Sequence, residues 1–408
     1  MIIILGIASH DFMEYLSTRS IPYIICVTTE KEREKMSLYQ NIFLVDIRSK
    51  NQFLHTLRTI NFSAQPVAII TFYERYVIAR SWLGNFLGIP TITITSAKMA
   101  IDKILMRKAL TAYDPTMTPK YKIINNINDV KRFAKKIGFP LMIKPANLQK
   151  SLLVTKVLSN DHLVASYNFI KKTITSIYNK EHRTQKPRIL MEEFLRGSMH
   201  SVQTFAQKNG HVTVFGDPVD LFVAKDRDIE DHHIFARISP SILSIKKIAK
   251  LNHVAKKATR ALAFTNTPGH VELIYTKKGP MVVEIGPRVG GYRTRLYHMS
   301  QGLDLNAALI ANAQGKKIFQ KNKKCIYTAV IELFPKNDGG FKKITHLQVL
   351  KKLSSYHYHS IKAIPSQKVG LAKNGYRTAC VIIIKNAHKD QFLQDFTFIR
   401  DHMHVITI

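Results

Sequence analysis

Acidic residues are scarce in this chain. Its 408 residues carry 28 Asp and Glu against 61 Lys and Arg, a formal net charge of +33. Such an excess points to a polyanionic partner: nucleic acid, nucleotide or acidic lipid. The lysines are scattered in pairs, such as Lys135-Lys136, Lys246-Lys247 and Lys351-Lys352. There is no basic tail, no RNP-like aromatic motif and no C2H2 spacing, so a basic nucleic-acid-binding protein stays a secondary reading. Cysteine is rarer still. Cys26, Cys325 and Cys380 are odd in number and far apart, which argues against a disulfide framework or zinc knuckle and makes a reducing cytoplasm the expectation. No segment approaches the ~18 uninterrupted apolar residues of a membrane span, so no membrane partner is expected. The opening MIIILGIA lacks a basic flank and a small-residue cleavage site, and reads as a buried first strand. The glycines form no GxGxxG, since the first strand is followed by Gly6-Ile7-Ala8-Ser9-His10; a dinucleotide site is unsupported. No internal repeat, low-complexity segment or Ser-His-Asp or Cys-His nucleophile pattern is legible.

What is present is a globular composition, 45% hydrophobic and 22% charged, at a length that predicts two to four structural units. MIIILGI, PYIICVT, IFLVDI, VAIITF and TITIT read as strands alternating with helical segments such as HDFMEYLSTR and ERYVIARSWLGNFLG. This rhythm predicts a parallel sheet over residues 1–100. A helical stretch with Asp102, Lys103 and Arg107 then breaks at Pro115 and Pro119. NDVKRFAKKIGF reads as a helix stopping at Gly138, PLMIKP as a strand, and a polar helix runs to about Glu181. ILMEEFL is a strand entering a turn at Gly197. Residues 201–240 alternate weakly and end in a charged loop, Lys225 to His233. That loop, with Asp226, Asp228, Glu230, Asp231, His232 and His233 but no i, i+4 spacing, reads as a mobile polar loop rather than a metal cage. A helix, LNHVAKKATRALAF, leads into PGHVELIYTKKGPMVVEIGPRVGG. After Phe319 come short strands, CIYTAVIELFP and RTACVIIIK the clearest, and two helices.

The segment from Pro268 to Gly291 reads as a β-hairpin of two short apolar runs, each with one acid. A three-residue connection, Lys277 to Gly279, sets Glu272 and Glu284 opposite each other, with Cβ atoms ~5 Å apart. Like charges that close require something positive between them. Carboxylate oxygens suit Mg²⁺, which usually arrives with phosphates, and Arg288 follows at the strand end as a fixed cation. The alternative is a surface hairpin with two solvated glutamates. Lys144, inside an apolar strand, needs a partner because an unpaired buried ammonium is costly.

In order along the chain stand AIDKILMRKAL around Lys103, GFPLMIKP around Lys144, the Glu192-Glu193-Phe194-Leu195 turn and the Glu272/Glu284/Arg288 hairpin. This order resembles the ATP-grasp superfamily over nearly the whole chain. The likeness is to its carboxylate–amine ligases of dipeptide and carnosine synthase type, and also to biotin carboxylase and carbamoyl phosphate synthase ATP-binding domains. The resemblance implies an α/β and α+β architecture: a parallel α/β domain (1–100), a small ATP-grasp subdomain with the phosphate lid (101–187), a large subdomain with the metal hairpin (188–319), and a C-terminal α+β domain (320–408). It implies that Lys103 and Lys144 hold ATP phosphates, that Glu193 and Leu195 meet the adenine edge, and that Glu192 helps fix the adenine amino group. Glu272 and Glu284 would ligate Mg²⁺ (or Mn²⁺), and Arg288 would neutralise the transferred phosphoryl. The lid, Pro145 to Val154, has no glycine, so Lys150 and Ser151 are its candidate phosphate contacts. His200, beside Met199, is expected to take the ribose hydroxyl. Arg293 and Arg295 would grip a substrate carboxylate, with His270 beside Glu272. Gly286 stands where the family pattern usually has Asn. The implied activity is ADP-forming joining of a small-molecule carboxylate to an amine through an acyl phosphate, in the cytoplasm, with a homodimer left open. The alternative is a degenerate member that binds nucleotide without turnover.

Overall fold

Runs of β-branched residues open the chain as parallel strands: β1 (Ile2–Leu5), β2 (Tyr23–Val27), β3 (Ile42–Leu44) and β4 (Ala68–Thr71), in the order β3-β2-β1-β4. The computed structural model describes residues 1–408 except 149–151, 181–185, 228, 230, 232 and 322–324. β1 and β4 are buried along their whole length, the pattern of a sheet covered on both faces. Winding reverses between β1 and β4, so their C-terminal ends frame the crevice where ligands enter such sheets. The chain leaving β4 through Tyr73 and Glu74 starts at that crevice. The fifth expected strand, TITIT, is not one. Thr93 caps the helix Ile94–Ile101 by accepting the Ser96 amide at 3.1 Å, and this capping chemistry overrides the alternation.

A second sheet holds β5 (Tyr121–Ile124), β6 (Leu141–Pro145), β7 (Thr155–Val157) and β8 (Ile189–Glu193), antiparallel in the order β5-β8-β6-β7. The helices Ile127–Ile137 and Asn160–Lys180 cover one face of it, around Val130, Leu141, Ile143, Tyr167 and Ile170.

The third sheet contains β9 (Ser198–Ala206), β10 (Val212–Val223), β11 (Ile234–Ser239), β12 (Thr267–Thr276), β13 (Gly279–Gly286) and β14 (Tyr327–Leu333). Beyond these lie β15 (Gly339–Ile344), β16 (Tyr356–Ile361), β17 (Lys368–Val369), β18 (Cys380–Asn386) and β19 (Val405–Thr407). The order is β13-β12-β9-β10-β11-β14-β18-β16, with β17-β15-β19 apart. The segment after residue 319 has a small sheet of its own, β17-β15-β19, and also adds β14, β18 and β16 to the large sheet. β14 pairs with β11, because an open edge seeks a strand, and its apolar face shares a core with Phe235, Ala236 and Ile238.

The N-terminal sheet is tied to the large one by a buried guanidinium. Arg80 donates to Ile69 O (2.9 Å), Asn266 O (2.9 Å) and Thr267 Oγ1 (2.7 Å), three acceptors that offset its desolvation. Ile2, Ile4 and Phe12 pack in one core with Phe205, Leu296 and Val330. Among the described residues no helix is long and apolar enough to cross a membrane.

Candidate active site

The hairpin brings Glu272 and Glu284 directly opposite each other, as the sequence predicts, but by another route. The connection has two residues, Lys277 and Lys278, since Thr276 pairs with Gly279. That register alone would set Glu272 against Val283 and turn Glu284 to the other face of the sheet. A bulge at Val283, between the pairs Leu273–Val282 and Glu272–Glu284, adds the residue that restores the match. Arg107 Nη2 donates to the bulged Val283 carbonyl at 2.7 Å. The kink that juxtaposes the two glutamates is thus held by an arginine from another element.

The same arginine organises the cations. Arg107, on the helix Lys103–Tyr113, donates from Nε and Nη2 to Glu192 at 2.7 and 3.2 Å. Lys144 Nζ reaches Glu192 Oε2 at 2.6 Å, from a diagonal position across β6 and β8. All three side chains are buried. Burial alone would raise the Glu192 pKa, but the two cations outweigh it and hold the carboxyl at about 2. Burial, with Arg107 and Lys103 nearby, pushes Lys144 down to about 8 despite its carboxylate. One carboxylate shared between two cations explains this asymmetry. Lys103, made the first helical residue by the cap of Asp102 on the Ile104 and Leu105 amides, donates to Leu148 O (2.9 Å) and Glu284 Oε1 (3.2 Å). Among the described residues Lys103, Arg107 and Lys144 make direct contacts with two carboxylates, Glu192 and Glu284, Lys103 also acts on the charge of Glu74, and Arg107 Nη1 has no hydrogen-bond partner. Three cations and an orphaned donor beside two opposed carboxylates fit a phosphate chain carrying a hard divalent cation.

Several predicted roles change. Glu192, expected at an adenine amino group, instead spends both of its oxygens on Arg107 and Lys144. The Glu193 amide is committed to Lys120 O at 2.9 Å, and Leu195 lies half-buried in the turn beyond β8. His200 does not present itself to a ribose. It is 2% exposed, and strand alternation puts it on the opposite face from Glu272, whose register partner is Ser201. Its Nδ1 meets Asp220 Oδ1 at 2.7 Å and its Nε2 meets Ser198 Oγ at 2.6 Å. Asp220 also accepts from Ser241 Oγ and the Ile242 amide, both at 2.7 Å. This Ser198–His200–Asp220 chain, illegible in the sequence, fastens β9 and β10 to the segment after β11.

Arg293 is buried, with Nη2 on Ser201 Oγ (2.6 Å) and Nη1 on Gly291 O (3.0 Å), while its Nε has no hydrogen-bond partner among the described residues. Arg295 pairs with Asp11 of the N-terminal domain at 2.7 Å and lines a separate groove with His298 and Asp304. His270 is likewise sealed: Nε2 stands 3.4 Å from Glu272 Oε1, and the Gly290 backbone packs so close that a Cβ there would lie 2.6 Å from the ring. Burial is the main cause that pushes His270 down to about 4, so it is neutral near pH 7. Burial would raise Glu272 too, but the His270 contact and the charges of Arg288 and Arg293 hold it below the usual range.

Arg288 meets a residue the sequence reading passed over. Its Nε and Nη2 reach Glu74 Oε1 at 3.1 and 2.8 Å, and its Nη1 donates to Val289 O at 3.2 Å. Glu74, buried at the β1/β4 crevice, is raised chiefly by desolvation, against the pull of Arg288. Arg107 had a local signal, since it stands one helical turn after Lys103 on the same face. Glu74 had none. The lid candidates Lys150 and Ser151 lie outside the described residues, as do Asp228, Glu230 and His232 of the charged loop. Of that loop's other acids, Asp226 accepts the Val223 amide and Asp231 the Lys373 amide. Among the described residues no three His, Cys, Asp or Glu side chains already form a metal cage.

Residues 137–295 match the family model described as an ATP-grasp domain, and the chain carries that domain. It is 26% identical over 231 residues to the alanine–anticapsin ligase of Bacillus amyloliquefaciens, covering 55% of this chain and 49% of that protein. The chain thus spans about half the length of the curated relatives it matches. In fold it is similar to the L-amino acid ligase from Bacillus licheniformis, with TM-score 0.77, 16% identity, and coverage of 100% of this chain and 98% of that one. It is also similar to the biotin carboxylase domain of Hydrogenobacter thermophilus 2-oxoglutarate carboxylase in complex with MgADP (TM-score 0.70, 14% identity, coverage 100% and 91%).

Proposed function

We propose that this ATP-grasp protein is an ADP-forming carboxylate–amine ligase acting on an amino acid or similar small acid through an acyl phosphate. The observation that supports it best is the Val283 bulge, which sets Glu272 against Glu284 beside three cations, Lys103, Arg107 and Lys144. The names of the relatives, ligases of amino acids, agree with this reading.

A substrate carboxylate oxygen attacks the γ-phosphorus of ATP and ADP leaves; an amine then attacks the acyl carbon and phosphate leaves. Lys103 and Lys144 bind phosphate oxygens, and Arg288 faces the charge of the transferred group. Glu272 and Glu284 are the residues that would hold Mg²⁺, which when bound shields the phosphate charge. Positioning and fixed charge carry the catalysis, so no protein nucleophile is needed.

The test is ADP release from a panel of amino acids and amines. ADP formation is expected to require Mg²⁺, a carboxylate and an amine together. Glu284→Gln is expected to lower the rate at least ~100-fold, about 2.7 kcal/mol in the barrier, with the thermal melt unchanged. A broad panel with no ADP above background would sink the reaction. Stabilisation by MgADP without any turnover would instead identify a nucleotide-binding protein.

A further inference from the structure

Position 286 lies two residues beyond Glu284 on β13, so a side chain there would point to the same face as Glu272 and Glu284. It is glycine, and the space is filled from elsewhere. A Cβ built on Gly286 would lie 2.8 Å from Glu74 Oε1, closer than real Cβ atoms come to a carboxylate. Glu74 belongs to the N-terminal domain, just after β4, where the parallel sheet opens its crevice. A residue from one domain thus occupies the place that a side chain of the other domain leaves empty.

The carboxylate that fills it holds Arg288. Glu74 Oε1 takes both Nε and Nη2, and Val289 O takes one N–H of Nη1. The guanidinium has five N–H groups, so two remain for a ligand. Arg288 also lies close enough to Glu272 and His270 to act on their charge. Released from Glu74, it would be left to Glu272, the hairpin carboxylate on which its charge already acts. It would then neutralise one of the pair that must receive a cation.

We propose that Glu74 is a positioning residue for phosphoryl transfer. Seated in the space left by Gly286, it aims Arg288 at the transferring phosphoryl and keeps it off Glu272. The inference rests on the ligase reading. It makes the nucleotide site complete only when the N-terminal domain is docked against the hairpin.

The experiment compares binding of MgADP with binding of MgADP plus aluminium fluoride, a mimic of the phosphoryl in flight, by calorimetry, and needs no knowledge of the substrate. Wild type should bind the aluminium fluoride complex at least tenfold tighter than MgADP. In Glu74→Ala this gain should fall at least tenfold, while MgADP affinity stays within about twofold. Gly286→Ala, which changes neither charged residue but pushes the carboxylate aside, should give the same loss. The two substitutions together should cost no more than either alone, the mark of one shared contact. Glu74→Gln, which keeps size and one acceptor oxygen, serves if the alanine variant melts too low, and should retain part of the gain.

An undiminished gain in Glu74→Ala would overturn the inference and leave the ligase reading standing. A parallel loss of MgADP affinity would overturn it too, since Glu74 would then touch the nucleotide or its metal. Full additivity of the two substitutions would show that Glu74 and Gly286 act separately, and would remove the seat. A wild type with no gain from aluminium fluoride would count against phosphoryl transfer itself, and so against the ligase reading.

Discussion

Two charged clusters bridged by Arg107, which touches both Glu192 and the hairpin, are built to opposite rules. Around Glu192 every carboxylate oxygen is taken, by Arg107 on one side and by Arg107 and Lys144 on the other, and all three side chains are buried. Around the hairpin the carboxylates of Glu272, Glu284 and Glu74 each lean on one cation or imidazole, through a single oxygen. The carboxylate of the first cluster is spent inside the fold, whereas those of the second keep an oxygen free for a ligand. Glu192, Glu272 and Glu284, the acids on strands in the two clusters, look alike in sequence. What separates them is whether the partners are complete.

The strongest way to break the contrast is to remove Glu192. Glu192→Gln should destabilise the protein by ~3–5 kcal/mol, because Arg107 and Lys144 are left buried without their carboxylate. Urea unfolding would read it. A loss under 1 kcal/mol would mean that the cluster is not closed. Glu284→Gln, at the half-exposed cluster, should lose turnover with little change in the same measurement.

The pH dependence sharpens the contrast further. The Glu192 carboxyl is held at about 2 when folded, against an ordinary value of 4.5. Below pH 4.5 the unfolded chain takes up a proton that the folded one refuses. This stabilisation is therefore present in full above pH 4.5 and is lost as pH falls through that value toward about 2. Acid unfolding curves of wild type and Glu192→Gln should converge across this window; parallel curves would count against the assignment.

The smallest effect is in proton uptake. Lys144 is pushed down to about 8 by burial and by the nearby cations. Phosphate oxygens arriving beside it would raise it again, so nucleotide binding at pH 8 should take up at most about half a proton. Calorimetry in two buffers of different ionisation enthalpy measures this. Binding without uptake, or with proton release, would place the phosphates away from Lys144.

Much of the site was readable because its residues sit in local patterns. Apolar runs marked β1, β2, β4, β6 and β8, and the hairpin announced itself by two strands around a Lys-Lys-Gly segment. The order of Lys103, Lys144, Glu192 and the hairpin was enough to name the superfamily. The false strand TITIT failed because a capping threonine and a strand threonine look the same until Ser96 is seen to donate to Thr93. The partners of His200, Arg293 and Arg295 within the fold were hidden for a related reason. Spacing says that a side chain is near a motif, but only register and packing say which face it occupies and whether its donors are already spent.

The sequence by itself determined the parallel opening sheet, the hairpin and the opposition of Glu272 and Glu284, because these depend on neighbours within one or two strands. Tertiary structure decided the rest. The bulge at Val283, the sharing of Glu192 between Arg107 and Lys144, and the meeting of Glu74 with Arg288 join residues 176, 85 and 214 positions apart. No local pattern encodes such pairs. Desolvation makes an unpaired buried charge so costly that the fold must bring them together, wherever along the chain they stand.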